Sequence, residues 1–254
     1  FKDGMTREWM IEFANSGGRI IPGTGPDKIP LEDATAVKGL YDGNIRYSDA
    51  QLGTFLDALR AVDLYDDALI IVTSDHGESM WEHGQLGHSR QVFDEMVHVP
   101  LVVKFPKSAG VPSGQVSALT SLMDVYPSIC SWMDLPAPGE LDGQPLAGVL
   151  GGIEDPEREL YLRSFHREPV VALRGRAHKA LIETDRETEE ERQLFFDLAA
   201  DAAEKDPIKD SDHPALARLV ALRAELEALD AGAVRSEGPT AEESALIQEL
   251  GYAE

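Results

Sequence analysis

Residues 68–88, ALIIVTSDHGESMWEHGQLGH, decide how this chain is organised. The stretch opens with an apolar, β-branched run, residues 68–72, which has the length and composition of a buried parallel strand. A carboxylate (Asp75), an imidazole (His76) and a glycine (Gly77) follow within a few residues. In open α/β sheets, ligands bind at the carboxyl ends of the strands. The sequence therefore predicts a functional loop directly after this strand.

The segments around this strand predict an α/β fold. Helical patterns of apolar residues cover residues 1–15, about 31–62 and 118–133, and residues 101–105 (LVVKF) predict a second buried strand. Strands and helices in alternation indicate a parallel sheet with helices on its faces.

The pattern changes after about residue 152. Residues 160–165, 169–174, 179–183 and 194–198 are short alternating runs, which favour a small antiparallel sheet. An amphipathic helix is predicted over residues 213–229, and a last helical pattern over 242–250. We therefore predict two domains, residues 1–155 and residues 156–254.

The composition excludes some classes of partner. The formal net charge is -23 at pH 7, which argues against a nucleic-acid partner because phosphate binding needs a basic surface. The sequence has no apolar run near the roughly 18–20 residues of a membrane span. An anionic substrate is still compatible with this charge, because one metal ion can reverse the local field. The single cysteine, Cys130, lies in an apolar helical pattern, so we expect a buried thiol.

Four residues of the opening stretch can carry chemistry. Asp75 and His76 can turn toward one divalent cation, because carboxylate oxygen and imidazole nitrogen are both metal ligands. Asp75 could equally cap a turn. His88 could donate a hydrogen bond to an ester oxygen or act as a general acid, and His83 lies in the same loop. For both histidines a surface or packing role is the alternative. The sequence has no recognisable nucleophile motif.

Several motifs in a fixed order resemble a known family. They are YDGNIRYSD (41–49), SDHGE (74–78), EHG (82–84), GH (87–88) and VPLVV (99–103), with DVYP (124–127), ALR (172–174) and LFFDL (194–198) downstream. Together they resemble the second half of a sulfatase, in the alkaline-phosphatase-like superfamily. The resemblance covers about residues 41–254.

The resemblance implies a fold and a set of roles. Residues 1–155 would form the C-terminal part of a mostly parallel, helix-flanked catalytic sheet, and residues 156–254 a small antiparallel sheet with a helix. Asp75 and His76 match metal ligands, although many sulfatases have Asn where this chain has His76. His88 matches a residue that contacts the transferred sulfate and would act in catalysis, while His83 would lie behind it near the substrate. The metal would be calcium, with manganese or zinc left open by the histidine.

The family's other catalytic groups would lie upstream of Phe1. They comprise further aspartate ligands and a Cys or Ser, in a C/S-x-P-x-R motif, that becomes a formylglycine nucleophile. Cys130 lacks the following Pro and Arg. We therefore expect this chain to be part of a sulfuric ester hydrolase acting on a small-molecule or glycan sulfate ester, and to need its N-terminal half.

Two other functions are compatible with the same residues. One is a phosphodiester or phosphonate monoester hydrolase of the same superfamily, and the other is a domain without catalysis. The family's habit favours the periplasm or the outside of the cell. A doubly wound core deprived of its first half should also expose the apolar edge or face of strands such as residues 70–72.

Overall fold

The computed structural model describes residues 21–22, 28–29, 31–88, 90–137, 139–152, 155–164, 170–184, 190–208 and 212–232. The helices predicted at residues 1–15 and 242–250 lie outside these ranges. The strands are β1 (Ile21–Pro22), β2 (Lys28–Ile29), β3 (Ile70–Thr73), β4 (Ser79–Met80), β5 (Leu86–Gly87), β6 (Leu101–Lys104), β7 (Leu160–Arg163), β8 (Val171–Arg174), β9 (His178–Thr184) and β10 (Glu191–Asp197). The α-helices are α1 (Leu31–Ala61), α2 (Asp94–Val97), α3 (Val125–Trp132), α4 (Ala147–Leu150) and α5 (Pro214–Gly232).

Helix α1 confirms the long helical pattern almost to the residue. It has 31 residues, which corresponds to roughly 46 Å at about 1.5 Å per residue, and it continues without a break through Gly43 and Gly53. Apolar side chains on it are solvent-exposed, among them Leu40, Ile45 and Phe55. No helix in the described part of the chain has the length and apolarity to cross a bilayer.

Strands β3 and β6 form a two-stranded antiparallel sheet, with Ile70 opposite Lys104 and Thr73 opposite Leu101. The α/β class is confirmed, but this pair corrects the expectation of a parallel pairing. The reason lies in the connection. A parallel neighbour needs a crossover that returns to the starting end of the sheet, whereas residues 74–100 fold back at the carboxyl end of β3. Val102 on β6 is 59% exposed, as expected for a strand face that lacks cover.

The C-terminal sheet confirms the predicted antiparallel sheet and its helix. Its strand order is β10-β9-β8-β7, with every neighbouring pair antiparallel. Helix α5 packs on one face, and the core between them consists of Val171, Leu173, Ala180, Ile182, Phe195, Ala215, Leu216 and Leu219. Cys130 is buried in α3, as predicted.

The opposite face of this sheet packs against the segment that follows the predicted functional loop. Val92 and Phe93 share a buried cluster with Ala172, Leu181 and Phe196. Alternation along the strands explains the split, since successive side chains point to opposite faces. This packing crosses the domain boundary that we predict at residue 155, and the boundary itself stays a prediction.

Candidate active site

The turn after β3 is held by its own short hydrogen bonds. The Ser74 hydroxyl donates to the carbonyl oxygen of His76 at 2.7 Å, and the backbone N–H of His76 donates to Asp75 Oδ1 at 2.9 Å. The Asp75 carboxylate is largely exposed. Asp75 thus shapes the turn with one oxygen, as the turn-capping alternative requires, while its Oδ2 lies on the side of the His76 ring.

The His76 ring makes a hydrogen bond that suits a metal ligand. Its Nδ1 lies 2.8 Å from the Gly77 carbonyl oxygen, which can only accept a hydrogen bond. A neutral ring in this contact has its proton on Nδ1 and its lone pair on Nε2, which is the arrangement of many metal-binding histidines. Nε2 lies 3.9 Å from Asp75 Oδ2. That separation lets both atoms contact one cation at bond lengths of about 2.0–2.6 Å.

A small hairpin brings His88 to this pair. Strands β4 and β5 place Ser79 opposite Gly87, and the His88 ring then stacks on the His76 ring with centroids 4.5 Å apart. Gly87 has φ +95°, a backbone conformation that favours glycine. The structure therefore brings together Asp75, His76 and His88.

Glu78 is a residue of this site to which our sequence analysis gave no role. Its Oε2 lies 3.4 Å from His88 Nδ1. A carboxylate at Nδ1 holds the proton there and leaves Nε2 of His88 to face another group. The signal was available, because Glu78 ends the SDHGE motif ten residues before His88.

Gly77 ties the turn to helix α2. Its N–H donates to the Met96 carbonyl oxygen at 2.7 Å. A Cβ atom at position 77 would fall far inside van der Waals contact of the Glu95 carbonyl oxygen. The backbones approach so closely that only glycine fits here.

His83 lies apart from the His76–His88 stack. Its Nδ1 is 2.7 Å from Glu95 Oε1 and its Nε2 is 2.9 Å from the Glu204 carbonyl oxygen, while its ring stacks on Phe93 at 3.6 Å. Burial lowers the pKa of His83, but the hydrogen bonds that the ring donates to the Glu95 carboxylate and to the Glu204 carbonyl oxygen outweigh it and raise that pKa above its ordinary value. Both ring nitrogens have partners, so in this conformation neither is left for a substrate oxygen.

The turn opens into a broad cleft of about 2450 Å³. Asp75, His76 and His88 line it, together with the half-buried side chain of Arg90. Arg163 also reaches the cleft from the C-terminal sheet. These cationic side chains line the same cleft as the candidate metal ligands. They favour an anionic ligand there, although the net charge of the chain is strongly negative.

The donor set fits part of a metal site. Asp75 and His76 supply one hard oxygen and one imidazole nitrogen, a combination that suits several divalent cations. Within the described residues no cluster of three or more histidine, cysteine, aspartate or glutamate side chains could hold an ion. A stable site needs at least one or two further donors.

Comparison with known proteins finds similarity to sulfatases and to a phosphonate hydrolase. The sulfatase family model matches residues 13–135. Arylsulfatase K of Mus musculus is 32% identical over 136 residues, covering 53% of this chain and 23% of that protein. Choline-sulfatase of Rhizobium meliloti (strain 1021) is 28% identical over 220 residues, covering 81% of this chain and 41% of that protein. The crystal structure of the phosphonate monoester hydrolase of Agrobacterium radiobacter superposes with a TM-score of 0.64 at 29% identity, covering 82% of this chain and 44% of that one.

The α/β fold is that of the alkaline-phosphatase-like superfamily. Within that class, the chain is similar to sulfatases over residues 13–135, just under half of its length. It spans less than half the length of each of these three relatives.

Proposed function

We propose that this chain supplies part of the active site of a metal-dependent sulfuric ester hydrolase. The observation that carries the proposal is the convergence of Asp75, His76 and His88 at one end of a cleft that cationic side chains also line. The substrate would be a small-molecule or glycan sulfate ester. Following the family's habit, we place the enzyme in the periplasm or outside the cell.

Asp75 and His76 would hold the divalent cation. Calcium is the first candidate, and the imidazole ligand also suits manganese or zinc. When bound, such a cation offsets the negative charge that builds on ester oxygens during hydrolysis. Asp75 Oδ2 and His76 Nε2 fix its position, and the bond from His76 Nδ1 to the Gly77 carbonyl keeps the ring oriented.

His88 would act on the ester itself. Its stacking on His76 places it beside the cation ligands, and Glu78 holds its Nδ1. With a proton on both ring nitrogens, Nε2 would donate a hydrogen bond to a sulfate oxygen or give its proton to the leaving alcohol.

The nucleophile would come from outside these 254 residues. The sequence contains no C/S-x-P-x-R motif, so we propose that a formylglycine and the remaining metal ligands belong to an N-terminal half. The chain's coverage of 41% of the choline-sulfatase supports this arrangement.

A phosphonate or phosphodiester hydrolase is the second candidate. It is favoured by His76, where many sulfatases have Asn, and by the similarity to the phosphonate monoester hydrolase. The two activities differ in the ester and share the same cation ligands. A matched pair of aryl substrates therefore separates them.

The test uses the complete protein that contains this chain. Turnover of p-nitrophenyl sulfate and p-nitrophenyl phenylphosphonate is measured for the wild type, Asp75→Asn and His76→Ala, before and after metal chelation. We expect each substitution to lower kcat/KM on the preferred ester by about 100-fold, because each removes a cation ligand. Asp49→Asn, a change of an exposed carboxylate on α1, should leave turnover unchanged.

Three outcomes would correct the proposal. Faster turnover of the phosphonate would assign the second candidate. Full activity of Asp75→Asn and His76→Ala would favour a domain without catalysis. Robust sulfatase activity of the isolated 254-residue chain would contradict the external nucleophile.

A further inference from the structure

A buried ion cluster lies between helix α2 and the C-terminal sheet. We call Asp94, Arg174, Lys179 and Glu204 the anchor cluster. The Lys179 side chain is fully buried, and that of Glu204 is almost so. None of these four residues belongs to the proposed ligand and ester-contacting set.

Lys179 is the centre of the cluster. Its Nζ donates to Asp94 Oδ1 at 2.6 Å and to the Val92 carbonyl oxygen at 3.1 Å. It also lies 2.6 Å from Glu204 Oε1, a close ion pair whose angle is not that of a hydrogen bond. An ammonium group has three N–H donors, and its three neighbours here lie on two segments, residues 92–94 and the turn that contains Glu204.

The other members tie the same segments together. Arg174 Nη2 donates to Asp94 Oδ2 at 2.9 Å, and the backbone N–H of Asp94 donates to Glu204 Oε2 at 2.6 Å. Burial raises the pKa of Asp94, but the hydrogen bond from Arg174 and the charge of Lys179 outweigh it and hold that pKa below its ordinary value. Two cations thus face two carboxylates, and α2 is fixed at its first residue.

Stability alone does not require the anchor cluster, because apolar residues could replace all four of its members. Lys179 shares its face of β9 with Leu181, which packs with Val92, Phe93 and Phe196. Burying a charge costs desolvation, and well-packed apolar replacements of buried ion pairs are often neutral or stabilising. Apolar packing has no direction, whereas hydrogen bonds and ion pairs do. The cluster therefore fixes the orientation of α2 on the C-terminal sheet, which apolar packing alone would not do.

Helix α2 connects the anchor cluster to the turn that carries the candidate metal ligands. Met96 accepts the Gly77 N–H, and the Glu95 carbonyl leaves no room for a side chain at position 77. Glu95 also binds His83, whose other nitrogen faces the Glu204 carbonyl oxygen. From this chain of contacts we infer that the anchor cluster is a positioning device that sets the Asp75–His76 turn against the C-terminal sheet. The metal part of this inference rests on the proposed function.

Hydrogen exchange tests the positioning without any need for activity. The variant is Lys179→Met in the complete protein that contains this chain, and the readout is deuterium uptake of peptides that contain the Gly77 amide. We expect that amide to exchange at least about tenfold faster than in the wild type, because its acceptor on α2 is no longer fixed.

Arg158→Met is the matched control. Arg158 Nη2 donates at 2.8 Å to the buried carboxylate of Asp124, so this variant also breaks a buried cation–carboxylate pair. No contact that we describe links this pair to residues 74–97. We expect Arg158→Met to lower the Tm without faster exchange at Gly77. If Lys179→Met lowers the Tm and leaves exchange at Gly77 unchanged, the cluster is structural only and the inference fails.

A conservative variant covers the case in which Lys179→Met does not fold. Glu204→Gln keeps an oxygen that can accept the Asp94 N–H and removes one charge from the cluster. The same faster exchange at Gly77 is expected, and unchanged exchange overturns the inference.

Calcium or manganese titration of the complete protein tests the metal step. We expect Lys179→Met, but not Arg158→Met, to raise the Kd for the cation about tenfold, as indirect partners of metal ligands do. An unchanged Kd beside faster exchange overturns the claim that the cluster serves the metal ligands. If the wild type binds neither cation, the proposed function fails, and the exchange result alone decides the positioning.

Discussion

Position 77 has the tightest steric requirement in the candidate site. Gly77→Ala would drive a methyl group into the Glu95 carbonyl, so the turn and α2 must separate. We expect a loss of about 1–3 kcal/mol in the free energy of unfolding and weaker binding of the cation. Urea unfolding and metal titration measure the two effects.

Gly43→Ala is the control for this prediction. Gly43 lies within α1 with nothing near its Cβ position, so alanine there should stabilise the helix by up to about 1 kcal/mol. Equal effects of the two substitutions would contradict the steric argument.

His83 should make the stability depend on pH. Its pKa is raised in the folded chain, so its contribution is complete below its ordinary value of 6.5 and is lost as the pH rises through the folded pKa. We expect His83→Gln to cost about 1.5–3 kcal/mol at pH 6, the usual range for hydrogen bonds to a charged group, and clearly less at pH 9. Urea unfolding at both pH values measures this.

His98→Gln serves as the comparison, since His98 is exposed. Its effect on the free energy of unfolding should be small at both pH values. A cost of His83→Gln that is the same at pH 6 and pH 9 would show that the protonated ring does not supply the stabilisation.

At the residue scale, the sequence predicted three side chains that the structure brings together, and their roles stay predictions. Asp75, His76 and His88 could be predicted because their motifs lie within 14 residues of one another. Lys179 was not identified as a buried group, because its partners Asp94 and Glu204 are distant in sequence. Its alternation with Leu181 was the available signal that it points into the sheet's packed face.

At the scale of elements, the sequence predicted the lengths of the two long helices but not the relative direction of strands β3 and β6. The bounds of α1 and α5 followed from local apolar periodicity. The antiparallel pairing of β3 with β6 depends on where residues 74–100 lie in space. The apolar run of one strand favours a parallel neighbour but does not fix that neighbour's direction.

The exposed face of β6 gives a test of the proposed N-terminal half. In the 254-residue chain, Val102→Thr should change the free energy of unfolding by less than about 0.5 kcal/mol, because the side chain is mostly exposed. In the complete protein we expect a loss of about 1–3 kcal/mol, because a covered face would bury the hydroxyl without a partner. Denaturant unfolding of both proteins measures the difference.

Val171→Thr is the matched substitution for that test. Val171 is 1% exposed in the core under α5, so threonine there should be costly in both proteins. If Val102→Thr has the same small effect in the complete protein, β6 keeps its solvent-exposed face and is not the surface that the N-terminal half covers.

For the whole molecule, composition and motif order predicted the class of protein but not the contacts between segments that are distant in sequence. The net charge of -23 gave no indication that Arg90 and Arg163 would meet at one cleft. Nor could periodicity show that residues 92–97 pack on a sheet formed by residues 160–197. Such contacts depend on the folded arrangement of segments that have no local relation.

The anchor cluster has a consequence for synthesis of the chain. Asp94 and Lys179 are 85 residues apart, and His83 meets Glu204 across 121 residues. At about 5–20 residues per second, a ribosome needs roughly 6–24 s to cover the longer interval. During that time the C-terminal sheet is incomplete and cannot contact α2. We therefore expect the Asp75–His76 turn to become ordered late, after Glu204 has left the exit tunnel. Limited proteolysis of stalled nascent chains would show this as cleavage near Gly77 that ends only when the stall lies beyond Glu204.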